Sequence, residues 1–192
     1  MTNTLPKGFY EKHDTLTLAR LLLGCTLVHQ NSEGRTAGVI VETEAYLQND
    51  PACHAYRKKS VRNAPMFEGA GVTYVYLIYG LHHCINIVSG TAGIGEAVLI
   101  RALEPTAGIE LMQERRQTTD LRNLCSGPAK LVQAMGITMD FNFLPMDSEN
   151  FHCLESQNLD YQLVTTTRIG ITQGAELPYR FYIGGNRFVS RK

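Results

Sequence analysis

The stretch Cys25-Thr-Leu-Val-His-Gln-Asn-Ser-Glu-Gly-Arg-Thr-Ala-Gly-Val-Ile-Val-Glu-Thr-Glu44 reads as two strands joined by a tight turn. Residues 25–30 and 35–44 flank Asn-Ser-Glu-Gly, turn-forming residue types, so the segment predicts a β-hairpin. Upstream, Asp14 can cap a helix with an apolar stripe of Leu18, Leu21 and Leu22, ending near Gly24. Downstream, residues 47–71 form a long polar connection holding Cys53, His54 and the basic cluster Arg57, Lys58, Lys59 and Arg62. A connection of that length inside a domain is usually functional or disordered. Three β-rich runs follow at 73–79, 83–88 and 97–103. Pro105 and Gly108 introduce a helix over 109–117, and a second helix starts at Pro128 and stops before Gly136. Residues 138–160 read as irregular, and short strands at 163–171, 180–183 and 187–189 finish the chain. Without repeats, low-complexity tracts or a linker, residues 1–192 predict a single mixed α/β (α+β) domain whose sheet is mainly antiparallel.

Composition narrows the class. Hydrophobic residues make up 44% and charged residues 19%, a globular balance. The 18 basic and 18 acidic residues cancel, which counts against a nucleic-acid binder driven by overall charge but leaves a local basic surface open. Cys25, Cys53, Cys84, Cys125 and Cys153 are odd in number, widely spaced and without a C-x-x-C pair. That pattern predicts reduced thiols rather than a disulfide framework or structural zinc. The N-terminal residues lack an apolar signal region, and no run approaches the roughly 20 apolar residues of a membrane span. The expectation is a cytoplasmic protein with no membrane partner.

Two strand carboxylates open the question of chemistry. Alternation puts Ile40, Glu42 and Glu44 on one face and Val39, Val41 and Thr43 on the other. A solvated pair at a hairpin end and a general base tuned by burial both fit. Arg101 bears on the choice, because it interrupts the apolar run Ala-Val-Leu-Ile-Arg-Ala-Leu and must find a polar partner if buried. Either Glu42 or Glu44 could be that partner, in a structural bridge or a working one. Tyr74 and Tyr76 share a strand face, while Tyr79 lies on the other and precedes Gly80. Such rings pack a core, stack a base or, at a turn, wedge into a base stack. Asn86, polar among apolar neighbours, needs a hydrogen bond if buried. Cys53-His54 and His82-His83-Cys84 do not converge on one ion by strand alternation, and no G-x-S-x-G, P-loop, G-x-G-x-x-G or base-deaminase pattern is present.

The segments together resemble the alkyladenine (3-methyladenine) DNA glycosylase family. The resemblance is carried, in order, by Val41-Glu-Thr-Glu-Ala-Tyr46, His54, Arg62-Asn63, Met66-Phe67 and Thr73-Tyr-Val-Tyr-Leu-Ile-Tyr-Gly80. It continues through Asn86-Ile87, Val98-Leu-Ile-Arg-Ala-Leu-Glu-Pro105, Leu124-Cys-Ser-Gly-Pro-Ala-Lys-Leu131 and Arg168-Ile-Gly-Ile171, spanning about Leu21 to Val189. It implies a curved sheet with surrounding helices and a monofunctional glycosylase of base excision repair. The predicted reaction extrudes an alkylated or otherwise damaged purine and hydrolyses its N-glycosidic bond, leaving an abasic site. By the same resemblance Glu44 deprotonates the water and Arg101 helps hold it, while Tyr46, the backbone at His54, and Tyr76 enclose the base, the two rings stacking on it. Asn86 lies against the purine edge, the backbone near Ile169 sits close to the water, and Tyr79 fills the gap in the duplex. Arg62, Lys58 and Lys59 are assigned to the DNA backbone, although the two lysines stand where the family pattern has glycine. The implied partner is double-stranded DNA containing damaged purines, bound by a monomer in the cytoplasm on the nucleoid, with no metal and no cofactor. The alternatives are a non-catalytic lesion-binding module on the same scaffold and a metal-dependent nucleoside hydrolase.

Overall fold

Asp14 opens the first long helix as its residue type predicts. In the computed structural model, which describes residues 3–78, 80–157 and 160–191, its carboxylate accepts from the Thr17 amide at 2.9 Å. A short helix α1 (Lys7–Glu11) precedes the capped helix α2 (Thr15–Leu21). Leu18, Ala19 and Leu22 are fully buried, but Leu21 is 41% exposed. At 3.6 residues per turn Leu21 points roughly 100° away from the centre of that buried face, so it leaves the expected stripe.

The expected hairpin is present as β1 (Thr26–Asn31) and β2 (Gly34–Tyr46), with Thr26 opposite Val39 and Asn31 opposite Gly34. The remaining strands are β3 (Thr73–Ile78), β4 (His82–Val88), β5 (Ala97–Ala107), β6 (Phe151–Leu154), β7 (Leu163–Thr166) and β8 (Arg180–Ile183). They form one curled sheet in the order β3-β4-β5-β2-β1-β6, with β8 also pairing β2 and β7 pairing β8, every pair antiparallel. The fold is α+β. Helices α3 (Ile109–Arg116) and α4 (Pro128–Met135) fall where the Gly and Pro signals put them. Toward the C-terminus three expectations fail. Residues 138–160 contain β6, recruited onto the open edge of β1; the strand expected over 163–171 ends at Thr166; and 187–189 form no strand and instead pack Phe188 and Val189 onto Val41 and Ala102.

Alternation divides the sheet between core and cavity. Ile85 and Ile87 of β4 and Val98 and Ile100 of β5 join Leu18, Leu22, Leu131 and Met135 in the principal core. Their neighbours Cys84, Asn86, Ala97, Leu99 and Arg101 line a cavity on the other side. On β2 the pattern is broken. The β2–β5 register shifts between Ile40 and Glu42 and again between Glu42 and Thr43, leaving Val41 and Arg101 outside the pairing. Ile40 therefore joins the principal core together with Ala45, and does not share the face of Glu42 and Glu44 as strict alternation requires. A bulge of this kind re-aims side chains and sharpens strand twist.

Candidate active site

Glu44 is fully buried, and three donors converge on its carboxylate. The Ile169 amide donates to Oε1 at 2.8 Å, while the Tyr46 hydroxyl and Arg101 Nη1 approach Oε2 at 2.9 and 3.4 Å. Tyr46 follows Glu44 by two positions on β2 and so lies on the same face. Burial first, and the Glu44 charge second, push the Tyr46 pKa far above the ordinary phenol value, so the hydroxyl keeps the proton it donates. A buried carboxylate without donors would be costly; this one is satisfied.

Arg101 stands between the two carboxylates. Its Nε lies 3.2 Å from Glu42 Oε1, at ion-pair distance but not aligned for a hydrogen bond, and its Nη1 reaches Glu44. It is 9% exposed, and that exposure opens onto the cavity. The cavity, of about 220 Å³, is lined by Tyr46, His54, Tyr74, Tyr76, Asn86, Arg101 and Ile169, with Arg62 and Pro128 also on its wall. Tyr74 and Tyr76 present rings 5.3 Å apart and tilted by 32°. The His54 ring stands edge-on to Tyr76 at 4.6 Å, and its Nδ1 lies 2.8 Å from the Tyr74 hydroxyl. Although His54 is exposed as a residue, enclosure of its ring, followed by the Arg62 charge, lowers its pKa below the ordinary histidine value. Asn86 is opposite Tyr74 in the β3–β4 ladder and donates from Nδ2 to the Tyr74 carbonyl at 3.0 Å, which fixes its side chain.

The structure thus brings Glu44, Arg101, Tyr46, His54, Tyr76, Asn86 and Ile169 to one place. Tyr79 lies outside the described residues, and its neighbour Ile78 is on the cavity wall. Arg62 turns back on the hairpin, donating to the Leu77 carbonyl at 3.2 Å with its guanidinium 5.4 Å above the Tyr76 ring. Lys59 pairs with Glu68 at 3.5 Å, and Lys58 is exposed. Among the described residues no three His, Cys, Asp or Glu side chains gather as a metal-ligand set, and no helix is long and apolar enough to cross a membrane. All five cysteines are buried free thiols; Cys84 lies on the cavity wall.

Three further residues support this geometry without having been assigned a role from the sequence. Arg168 is buried against Asp50, donates to the Ala45 carbonyl at 3.0 Å and lies 4.6 Å from the Tyr46 ring centre. It thereby steadies both Tyr46 and the adjoining Ile169 amide. Burial opposes its charge, but the hydrogen bond and charge of Asp50 raise its pKa overall. Arg180 and Ser190 both bind Glu42, which faces the end of the chain and not the cavity. The Arg-Ile-Gly-Ile motif marked Arg168 as noteworthy; nothing local pointed to Arg180 or Ser190.

With this geometry in view, the comparisons with known proteins are decisive. The family model described as methylpurine-DNA glycosylase (MPG) matches residues 8–187. The chain belongs to the methylpurine-DNA glycosylase family. Similar proteins named "Putative 3-methyladenine DNA glycosylase" include one from Methanoculleus marisnigri, 54% identical over 193 residues, covering 98% of this chain and all of that protein. One from Francisella tularensis is 50% identical over 182 residues, covering 93% of this chain and 94% of its own. Another from Carboxydothermus hydrogenoformans is 47% identical over 190 residues, covering 98% and 99%. Membership sets the reaction class, hydrolysis of N-glycosyl bonds, and sets DNA as the substrate class.

Proposed function

We propose that this chain is a monofunctional glycosylase that flips alkylated purines out of duplex DNA and hydrolyses the glycosidic bond with a water activated by Glu44. The observation that carries this reading is the convergence of Tyr46, Arg101 and the Ile169 amide on one buried carboxylate beside an aromatic cavity. The sugar carbon under attack is inaccessible in a stacked duplex, so the nucleotide must be extruded, at a cost of roughly a few kcal/mol. A cavity of about 220 Å³ is smaller than the roughly 300–1,000 Å³ of sites for drug-sized ligands and suits a single base. Alkylated purines such as 3-methyladenine are cationic, and the faces of Tyr46 and Tyr76 attract that charge. Their leaving groups need little protonation, so one carboxylate suffices: it takes a proton from water and stabilises the oxocarbenium charge, like the base half of an inverting glycosidase. Arg101 holds water and carboxylate together. Asn86, fixed by its bond to Tyr74, lies where guanine's extra amino group would clash. Tyr79 fills the space left by the flipped nucleotide, and Lys58, Lys59 and Arg62 meet the backbone. No lysine lines the cavity among the described residues, which supports direct hydrolysis over a Schiff-base route.

The test is base release from methylated duplex DNA, with free bases resolved by chromatography, and from oligonucleotides carrying one defined lesion each, with and without chelator. The expected result is release of 3-methyladenine, unchanged by chelator, leaving an abasic site in an intact strand. Absence of release, loss on chelation or accompanying strand cleavage would overturn the proposal.

A further inference from the structure

Glu42 is as deeply buried as Glu44, yet where Glu44 is bound by three residues of the cavity wall, Glu42 meets that wall only through Arg101. Both of its oxygens are engaged from behind. Oε1 accepts from Arg180 Nε at 2.7 Å and from Ser190 Oγ at 3.0 Å, and Oε2 accepts from the Ser190 amide at 2.7 Å. Arg180 is anchored in turn by the Arg191 carbonyl, and Ser190 by Phe188 and Val189 packed against Val41 and Ala102. With Arg101, these groups form a buried file of alternating charge, Arg180–Glu42–Arg101–Glu44, of which Arg101 lines the cavity while Glu44 lies behind Arg101, Tyr46 and Ile169 of its wall.

The bulge explains why such a file is needed. Alternation along β5 turns Arg101 toward the cavity, but it has no partner opposite it on β2, so the ladder does not decide which edge of its guanidinium meets which carboxylate. Its guanidinium lies between two carboxylates at nearly equal distances, 3.2 Å on the Nε edge and 3.4 Å on the Nη edge. A partner rigid on one edge decides what the other edge presents. Glu42, fixed by three other hydrogen bonds, is that rigid partner.

We propose that Glu42 is a positioning residue for the glycosylase reaction: held by Arg180 and Ser190, it clamps the Nε edge of Arg101 so that the Nη edge stays directed at Glu44 and the water. Residues 188–191 thereby belong to the working site although none lines the cavity. This inference rests on the proposed roles of Glu44 and Arg101, and its test separates the two.

The test is a double-mutant cycle of Glu42→Gln and Arg101→Gln, read as single-turnover excision at saturating enzyme, with lesion-duplex binding and thermal denaturation measured on each variant. Glu42→Gln keeps the size of the side chain. It should slow excision by about 10–100-fold in the parent and by less than about threefold when Arg101 is already glutamine, because coupled residues are non-additive. Affinity for the lesion duplex should stay within about threefold of the parent, since the interaction serves the chemical step and not ground-state binding. Equal slowing in both backgrounds would reduce Glu42 to a fold-stabilising residue and overturn the inference, as would no slowing in the parent. Should Glu42→Gln not fold, Ser190→Ala removes one donor and leaves the amide. It should slow excision about three- to tenfold, again only when Arg101 is present, and an unchanged rate would overturn the inference. If Arg101→Gln and Glu44→Gln both excise at the parent rate, the reading of the site itself fails; if they are impaired and Glu42→Gln is not, only the clamp fails.

Discussion

The imidazole of His54 is disfavoured as a cation from two sides. Enclosure of the ring lowers its pKa, and the Arg62 guanidinium adds to the effect, while Nδ1 rests against the Tyr74 hydroxyl, which burial keeps protonated. The sign follows directly. Above the ordinary histidine value of 6.5 the ring is neutral folded or unfolded and costs nothing. As pH falls below 6.5 the unfolded chain gains a proton that the folded site refuses, so stability declines until the folded pKa is passed. His29, buried against the Met135 carbonyl with its pKa lowered by burial, contributes in the same direction. An NMR titration should place the His54 midpoint below 6.5, and a midpoint at or above that value would contradict the packing described. At this scale the site was half legible. A cation in the apolar run 97–103 demanded an anion, which pointed to Glu42 or Glu44, and Arg101 in fact meets both. Asp50 and Arg168 lie 118 positions apart, and Glu42 and Ser190 lie 148 apart. No local period or motif links such pairs; only the folded sheet does.

Elements with punctuation were readable, and those defined by a neighbour were not. Gly108, Pro128 and Gly136 bound α3 and α4, and alternation marked β3, β4 and β5. The four-residue β6 forms because the edge of β1 is open to it, and its own sequence gave no warning. The bulge in β2 was likewise invisible, since alternation continues unbroken on paper while the register slips at Val41 and Arg101. The long connection 47–71 is held down at Gly95, which donates to Gln48 at 2.6 Å and accepts from Cys53. A Cβ there would meet Ala55 Cβ at 2.4 Å and Phe67 Cζ at 2.8 Å. Gly95→Ala must therefore lift the segment that carries His54. Thermal or denaturant unfolding should show a loss of about 1–3 kcal/mol, as for other overpacked sites, accompanied by weaker lesion-duplex binding. Unaltered stability and binding would show that Gly95 does not pin this wall.

The whole molecule carries no net charge, so the overall field does not draw it to DNA, and affinity must come from local contacts. Arg57, Lys58, Lys59 and Arg62 supply positive charge on the connection that borders the cavity. The sheet does the rest of the organising. One face closes over α2 and α4, the other opens into an aromatic cavity, and β2 places its buried carboxylates where β5, β8 and the 168–170 loop meet. Glu44 is the residue on which the functional reading depends. The most direct measurement is single-turnover excision by Glu44→Gln on duplex DNA bearing one alkylated purine, beside its equilibrium binding to the same duplex. The rate should fall by about 10²–10⁴-fold, the range a general base supplies, with binding retained. Excision near the parent rate would show that Glu44 is not the base.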